Sequence, residues 1–254
     1  MSDLRFFPGD LSSSNRKKEA LVMNILKTFA GVAALGGAFA AYNYKIRSWH
    51  LRWGASVAEL SATLPGDEVK PDAAIQVTHA ITIDAPAAVV WKWLVQIGQQ
   101  RGGFYSYDWL ENLFGLKIHN TREIKPVWQT LKVGDFVRSA HDGWLGGRFK
   151  NKAGWFVVAM DELRSLVLRD EIERGSWAFI LRPVNEAQTR LIIRARGNEP
   201  QGAALKIFHY GFFEPAHFIM ERKMLLTLKK RAEEFSANHT DEAELNLTAE
   251  KISV

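Results

Sequence analysis

The sequence predicts an α+β protein: a curved antiparallel sheet wrapped around a long C-terminal helix, preceded by an apolar N-terminal helix of membrane-spanning length. Three observations predict it. Leu21 to Tyr44 is largely apolar and carries no formal charge apart from Lys27, the middle of the chain alternates in strand-sized runs with hairpin-sized connections, and a long helical period runs from Pro215 to Phe235.

The first 20 residues read as a polar, basic N-terminus. Residues 21–44 follow as a candidate transmembrane helix; at about 1.5 Å per residue they reach roughly 36 Å, enough for a hydrocarbon core of about 30 Å. Lys27 must then snorkel to the headgroups. Beyond the apolar stretch, Tyr42, Tyr44, Trp49 and Trp53 interleave with Lys45, Arg47 and Arg52, the composition of a membrane–water interface. Ala33, Gly37 and Ala41 form a small-residue face on which a second helix can pack. A cleaved signal peptide, with Ala38-Phe39-Ala40 as its site, and a buried soluble helix are the competing readings. Arg16, Lys17, Lys18 and Lys27 stand against Lys45, Arg47 and Arg52, so the positive-inside rule favours a cytoplasmic N-terminus by one charge and leaves the side of the folded domain open.

Residues 45–75 read as a juxtamembrane connector, with a turn at Pro65-Gly66-Asp67. The folded domain is expected over 76–236. Ile81 and Ile83 alternate with polar neighbours as a short strand; Asp84-Ala85-Pro86 ends it and starts a helix, with Pro86 inside its first turn, through Val89, Val90, Trp93, Leu94 and Ile97, closed by Gly98. A glycine pair then leads to a second short helix, with Ser106 as cap, Asp108 at its positive end and Gly115 as its stop. Strands are expected at 135–139, 155–160, 165–169, 177–184 and 189–196. The connections at 161–164 and 185–188 make them sequential and antiparallel. Gly143 to Gly147 reads as a hairpin tip or as a lid at a cavity mouth. In the terminal helix Phe218, Leu225, Leu228, Ala232 and Phe235 share a face, with Glu221, Arg222, Lys229, Lys230 and Glu233 assigned outside it. Residues 237–254 are polar and expected to be a disordered tail.

This element order, with ITIDAPAAVVWKWLVQIGQQRGGFYSYDWLENLFG, LKVGDFVRS and EPAHFIMERKMLLTLKKRAEEF, resembles the SRPBCC (START/Bet v 1-like) superfamily, the helix-grip fold. In particular it is similar to bacterial membrane-anchored members related to polyketide cyclase/dehydrase-like proteins. The resemblance spans about residues 77–235 and RGGFYSYDWLEN is its most specific stretch. It implies a deep cavity for a hydrophobic ligand; it transfers no activity, because the superfamily's functions are diverse.

Composition excludes several classes. The chain has 254 residues and no cysteine, so disulfides, thiol catalysis and iron–sulfur clusters are ruled out. Its net charge of +5 lies entirely in the first 53 residues, which hold eight basic and three acidic side chains; the remainder carries 25 of each, giving little support for nucleic-acid binding. Neither a nucleophile elbow nor a phosphate loop is present, and the histidines lack metal-ligand spacing, so neither a cofactor nor a metal is expected.

The candidate site is the polar cluster around the second helix: Gln96, Gln99, Arg101, Tyr105, Tyr107, Asp108, Glu111 and Asn112. Arg101 is placed to hold an anionic or carboxylate group, and Tyr105 or Tyr107 to donate to a ligand oxygen; Trp109, Asn112 and Met224 join them as ligand-binding candidates. The same residues also serve as caps, ion-pair partners and amphipathic covers. A catalytic version uses Asp108 or His119 as general base. Trp91, Trp93, Trp128, Trp155 and Trp177 line a pocket or fill a core. The expected function is membrane-tethered binding of a lipid, isoprenoid or polyketide-like molecule between sheet and terminal helix. The alternatives are a cyclase/dehydratase-like enzyme using acid–base residues in that cavity, and a partner-binding module whose pocket is vestigial. Expected partners are a hydrophobic small molecule and the bilayer, with oligomeric state open.

Overall fold

A computed structural model describes residues 11–148, 152–172 and 174–252, excluding the side chains of residues 11–14 and 240–252. The chain falls into two units, one ending at Ser48 and one starting at Trp49.

The first unit is helical. Helix α1 (Leu11–Ala41) continues through a π turn at Tyr42–Arg47 into α2 (Ser48–His50). Over Asn15–His50 its best 18-residue window has a mean hydropathy of 1.5, so the helix is long and apolar enough to cross a membrane. Leu21, Met23, Phe29, Val32 and Leu35 are all exposed.

The second unit is the α+β domain. Strand β1 (Ile75–Ile83) is followed by α4 (Ala87–Leu94) and α5 (Asp108–Leu113), after the one-turn α3 (Val57–Ser61). Strands β2 (Phe136–Arg138), β3 (Gly154–Asp161), β4 (Ser165–Asp170), β5 (Ser176–Asn185) and β6 (Gln188–Gly197) complete one antiparallel sheet in the order β1-β6-β5-β4-β3-β2. Then come α6 (Ala203–Phe208), a π turn at His209–Phe213, and the long α7 (Glu214–Ile252). The π turn precedes Pro215, whose missing N–H prevents an unbroken α-ladder there.

Strand alternation divides the sheet into two faces. Leu166, Leu168, Phe179, Leu181, Leu191 and Ile193 face inward, against Val90, Trp93 and Leu94 of α4 and Met224, Leu225, Leu228 and Ala232 of α7. A register shift between Val157 and Ala159 lets β3 return Met160 to the inner side. The outer face buries Ala80, Val167, Ala178, Ile180 and Ile192 beneath residues 55–69, whose Leu64 is buried among them.

The supposed connector is thus part of the fold. Ser56 and Glu59 form a capping box that starts α3. Along β6, Arg190, Arg194 and Arg196 point outward and clamp it: Arg190 pairs with Glu59, Arg194 bonds Glu59 O, Ala62 O and the Asp67 carboxylate, and Arg196 bonds Lys70 O and Pro71 O. The free edge of β1 is also covered, because Thr78 and Ala80 N–H donate to Leu51 O and Trp53 O. Gly54 makes this approach possible. Its φ is +73° and an added Cβ would stand 2.1 Å from Ala80 O. Gly54→Ala is therefore expected to cost the fold about 1–3 kcal/mol by thermal unfolding in detergent; an unchanged midpoint would mean the edge is not held there.

Three local expectations change. Pro86 is the N-cap of α4 rather than a residue inside its first turn, and Asp84 accepts from Lys229 and Gln188 instead. Ser106 does not cap α5, whose N-cap is Tyr107; its hydroxyl donates to Met220 O, tying the α5 entrance to α7. Helix α7 continues to Ile252, where a disordered tail was expected from residue 237; the alanine, glutamate, leucine and lysine there are good helix formers.

Candidate functional site

Between the sheet and α7 lies a cavity of about 150 Å³. Trp155 of β3 and Trp177 of β5 form its floor, with ring centroids 5.1 Å apart, and Phe104 meets Trp155 edge-on at 5.8 Å. Leu116 and Ile118, which follow α5, and Met220 and Met224 of α7 complete the apolar wall. The polar wall groups are Ser106, Glu111, Ser139, His217 and Glu221. A shallower depression of about 380 Å³, lined in part by Pro65, Arg164 and Arg182, lies away from this ring cluster and contains no buried acid or base.

Under the cavity runs a buried polar column. His79 projects inward from β1, and its Nδ1 lies 2.5 Å from Glu221 Oε2 on α7. Its Nε2 lies 2.6 Å from His50 O; a carbonyl only accepts, so Nε2 carries a hydrogen. Glu221 Oε1 accepts from Trp177 Nε1 at 2.8 Å. Burial by itself lowers the His79 pKa, but the charge and hydrogen bond of Glu221 raise it to a net upward shift. Burial alone would raise Glu221, yet His79 and the Trp177 hydrogen bond hold it at about 2. Both directions describe an imidazolium–carboxylate pair in which both ring nitrogens and both carboxylate oxygens are hydrogen-bonded. Phe218 seals the column, with ring contacts to His79 at 5.5 Å and His50 at 5.2 Å.

Glu111 differs. It is 1% exposed, and its Oε2 is a buried oxygen with no hydrogen-bond partner among the described residues. Burial first and the charge of Asp108 second push its pKa up to about 7, against a lowering by Asn120.

Of the site candidates singled out in the sequence, Glu111, Met224, Trp155 and Trp177 line this cavity and the others lie elsewhere. Arg101 braces the loop by donating to Val95 O and Trp128 O. Tyr105 is fully buried, donates to Trp93 O and has its phenol pushed up by burial. Tyr107 lies under Lys223 Nζ, and Trp109 is 67% exposed. Asn112 staples Ile118 through its N–H and its C=O. Asp108 is engaged by Asn120, which also accepts from Tyr105 N–H, and His119 is exposed. The glycines of RGGFYSYDWLEN serve this tight loop: a Cβ at Gly103 would stand 2.3 Å from Asn120 Oδ1, and one at Gly102 2.7 Å from Gln96 O. At the other end of α5, Trp144 Nε1 donates to Phe114 O, so the glycine-rich turn at Trp144–Gly147 is attached there. Among the described residues no group of three metal-ligating side chains is found.

Sequence reasoning missed His79 and Glu221. Both had a signal. His79 shares the parity of Ile81 and Ile83, and Glu221 lies three residues after Phe218 and four before Leu225, inside the stripe from which it was excluded.

No family model matches the chain, and no curated protein matches it. Solved structures are similar to it at low identity. They include a Mesorhizobium loti protein (15% identity, 63% of this chain and 98% of that chain, TM-score 0.35) and the Aha1 dimer from Colwellia psychrerythraea (16%, 63% and 96%, TM-score 0.35). The di-domain ARO/CYC protein BexL (14%, TM-score 0.37) aligns over 63% of this chain and only 46% of its own.

Proposed function

We propose that the protein is a membrane-anchored binding module that holds a small apolar molecule beneath α7. The observation that carries this reading is the ring-walled cavity of about 150 Å³, a size at which an apolar space accepts a benzene-sized guest. The exposed apolar helix up to Ser48 supports the anchor. An exposed run of Leu205, Ile207, Phe208, Phe212 and Phe213 supports delivery from lipid: the Phe213 ring lies 5.9 Å from His217 on the cavity rim, so guest molecules dissolved in the bilayer meet an apolar approach to the cavity. An acid–base cyclase built on Asp108 and His119 has no geometric support, because neither lines the cavity.

The test uses the full chain. Native mass spectrometry of detergent-purified protein should find a co-purifying small molecule, and Met220→Trp, which fills the cavity from the half-buried rim, should lose it while unfolding at a similar temperature. A wild-type protein with no guest and no uptake of added toluene would sink the binding reading. Alkaline carbonate should leave the chain in the membrane pellet at its full mass; release, or a mass short of the N-terminal segment, would sink the anchor.

A further inference from the structure

Glu111 gives the cavity a chemical preference. Its carboxyl is as buried as the aliphatic core, it lines an apolar chamber, and Oε2 is unmatched among the described residues. Leaving such an oxygen unpaired costs the folded state, and a buried polar atom of this kind calls for a specific explanation. The other acid on the wall, Glu221, has both oxygens occupied, and Ser106 has spent its hydroxyl on Met220 O.

The groups facing Glu111 narrow what can complete it. On its own helix, Asp108 adds negative charge; from the following loop, Asn120 gives its amide to Asp108 and Ser106 O and also lowers the Glu111 pKa through a side-chain hydrogen bond. From α7 come Glu221, neutralised by His79, and His217 at the rim. No lysine or arginine lines the chamber. An anionic guest is therefore repelled, and an ammonium would carry its own desolvation cost into an apolar space. What remains is a neutral hydrogen-bond donor on an apolar body of about one ring.

We propose that the Glu111 carboxylate is the polar anchor of the cavity and that its guest is a phenol-class molecule, with its ring among Phe104, Trp155 and Trp177 and its hydroxyl donating to Glu111. This rests on the cavity being a binding site at all. Because the acceptor is the carboxylate, affinity for a hydroxylated ring rises with pH as Glu111 ionises near neutrality.

Fluorine NMR of the full chain in detergent tests this with 4-fluorophenol and 4-fluorotoluene, which differ by hydroxyl against methyl. The wild type should favour 4-fluorophenol by about tenfold or more, as expected for a hydrogen bond to a charged group. The preference should grow from about pH 6 to about pH 8, the window spanning the raised Glu111 value. Glu111→Leu should reduce the preference to within about twofold while 4-fluorotoluene still binds. The same variant should melt at a higher temperature than wild type at pH 8, because it removes an ionised buried carboxyl; this separates a lost anchor from a damaged fold. Equal binding of the two probes by wild type, a preference surviving in Glu111→Leu, or a preference that falls with pH would each overturn the anchor while leaving the cavity a binding site. Failure of both probes to bind wild type would overturn the binding reading and the anchor with it.

Discussion

Replacing His79 with leucine is expected to destabilise the full chain by about 3–5 kcal/mol, with no comparable effect from replacing a histidine such as His119 on the surface. The mechanism is the loss of one half of a buried pair. Glu221 would keep its Trp177 hydrogen bond but lose the cation at its other oxygen, and His50 O would lose its donor. An uncompensated charge at a site 4% exposed must then be protonated or hydrated, and both cost free energy. Glu221→Gln on the same reasoning leaves His79 without its counter-charge. The double variant His79→Leu/Glu221→Met is expected to recover much of the loss, because replacing both partners by apolar groups removes the desolvation cost together with the attraction. Urea unfolding in detergent reads all three proteins. If the single and double variants lose the same amount, the pair contributes through shape alone and its ionic description fails.

The same pair sets a pH window. His79 has a raised pKa, so its contribution is complete below its unfolded value of about 6.5 and is lost as pH rises through the folded value. Glu221 is held near 2, so its contribution is complete above its unfolded value of about 4.5 and is lost as pH falls through the folded one. Glu111 acts in the opposite sense to Glu221: with its value raised to about 7, stability falls as pH rises from about 4.5 to about 7. Wild type should therefore be most stable in mildly acidic solution, and His79→Leu/Glu221→Met should lose the acid-side part of that profile. Glu111→Leu should flatten its neutral side.

How far this architecture could be read from the chain depends on the length scale of each signal. The hairpins between β3 and β4 and between β5 and β6 were legible because alternation and a short polar turn are local properties. The terminal helix was legible for the same reason, but its polar member was not. Glu221 falls on the inward stripe, and charge alone moved it outside, although a charged residue is buried readily when a partner waits across the sheet. That partner is 142 residues away, beyond any periodicity. The candidate site met a related limit. Arg101, Tyr105, Asp108 and Asn112 are clustered in sequence and build one tight loop, and local density of polar residues does not separate that role from convergence on a ligand. Glu111 stood in the same cluster, and what sets it apart is that it lines the cavity together with Leu116, Ile118 and Trp155.

The segment after the apolar helix shows what composition conceals, and Arg194 is where it can be tested. Arg194→Leu is expected to cost about 3–5 kcal/mol and to release residues 56–67 from the outer face of the sheet before the sheet itself opens. The side chain is 2% exposed and its guanidinium serves Thr78, Ala62 O, Asp67, Glu59 O and Leu60 O at 2.6–3.2 Å. Leucine fills part of the volume and leaves three carbonyls and a carboxylate without that donor; Arg196 reaches Asp67 at 3.4 Å, but it is already committed to Lys70 O and Pro71 O. Lysine at this position can satisfy only some of the five acceptors from a single point charge, so Arg194→Lys should fall between leucine and wild type. Hydrogen exchange on the full chain distinguishes local from global effects. The amides of Leu60 and Ala62, which donate to Ser56 O and Ala58 O, should lose protection in Arg194→Leu, while Ile180 and Ile192, paired across β5 and β6, keep most of theirs. Equal loss at both places would mean that the clamp and the sheet unfold as one unit. In that case residues 56–67 belong to the core of the domain on the same footing as its strands, and the chain emerging from the apolar helix enters the fold directly at Trp49.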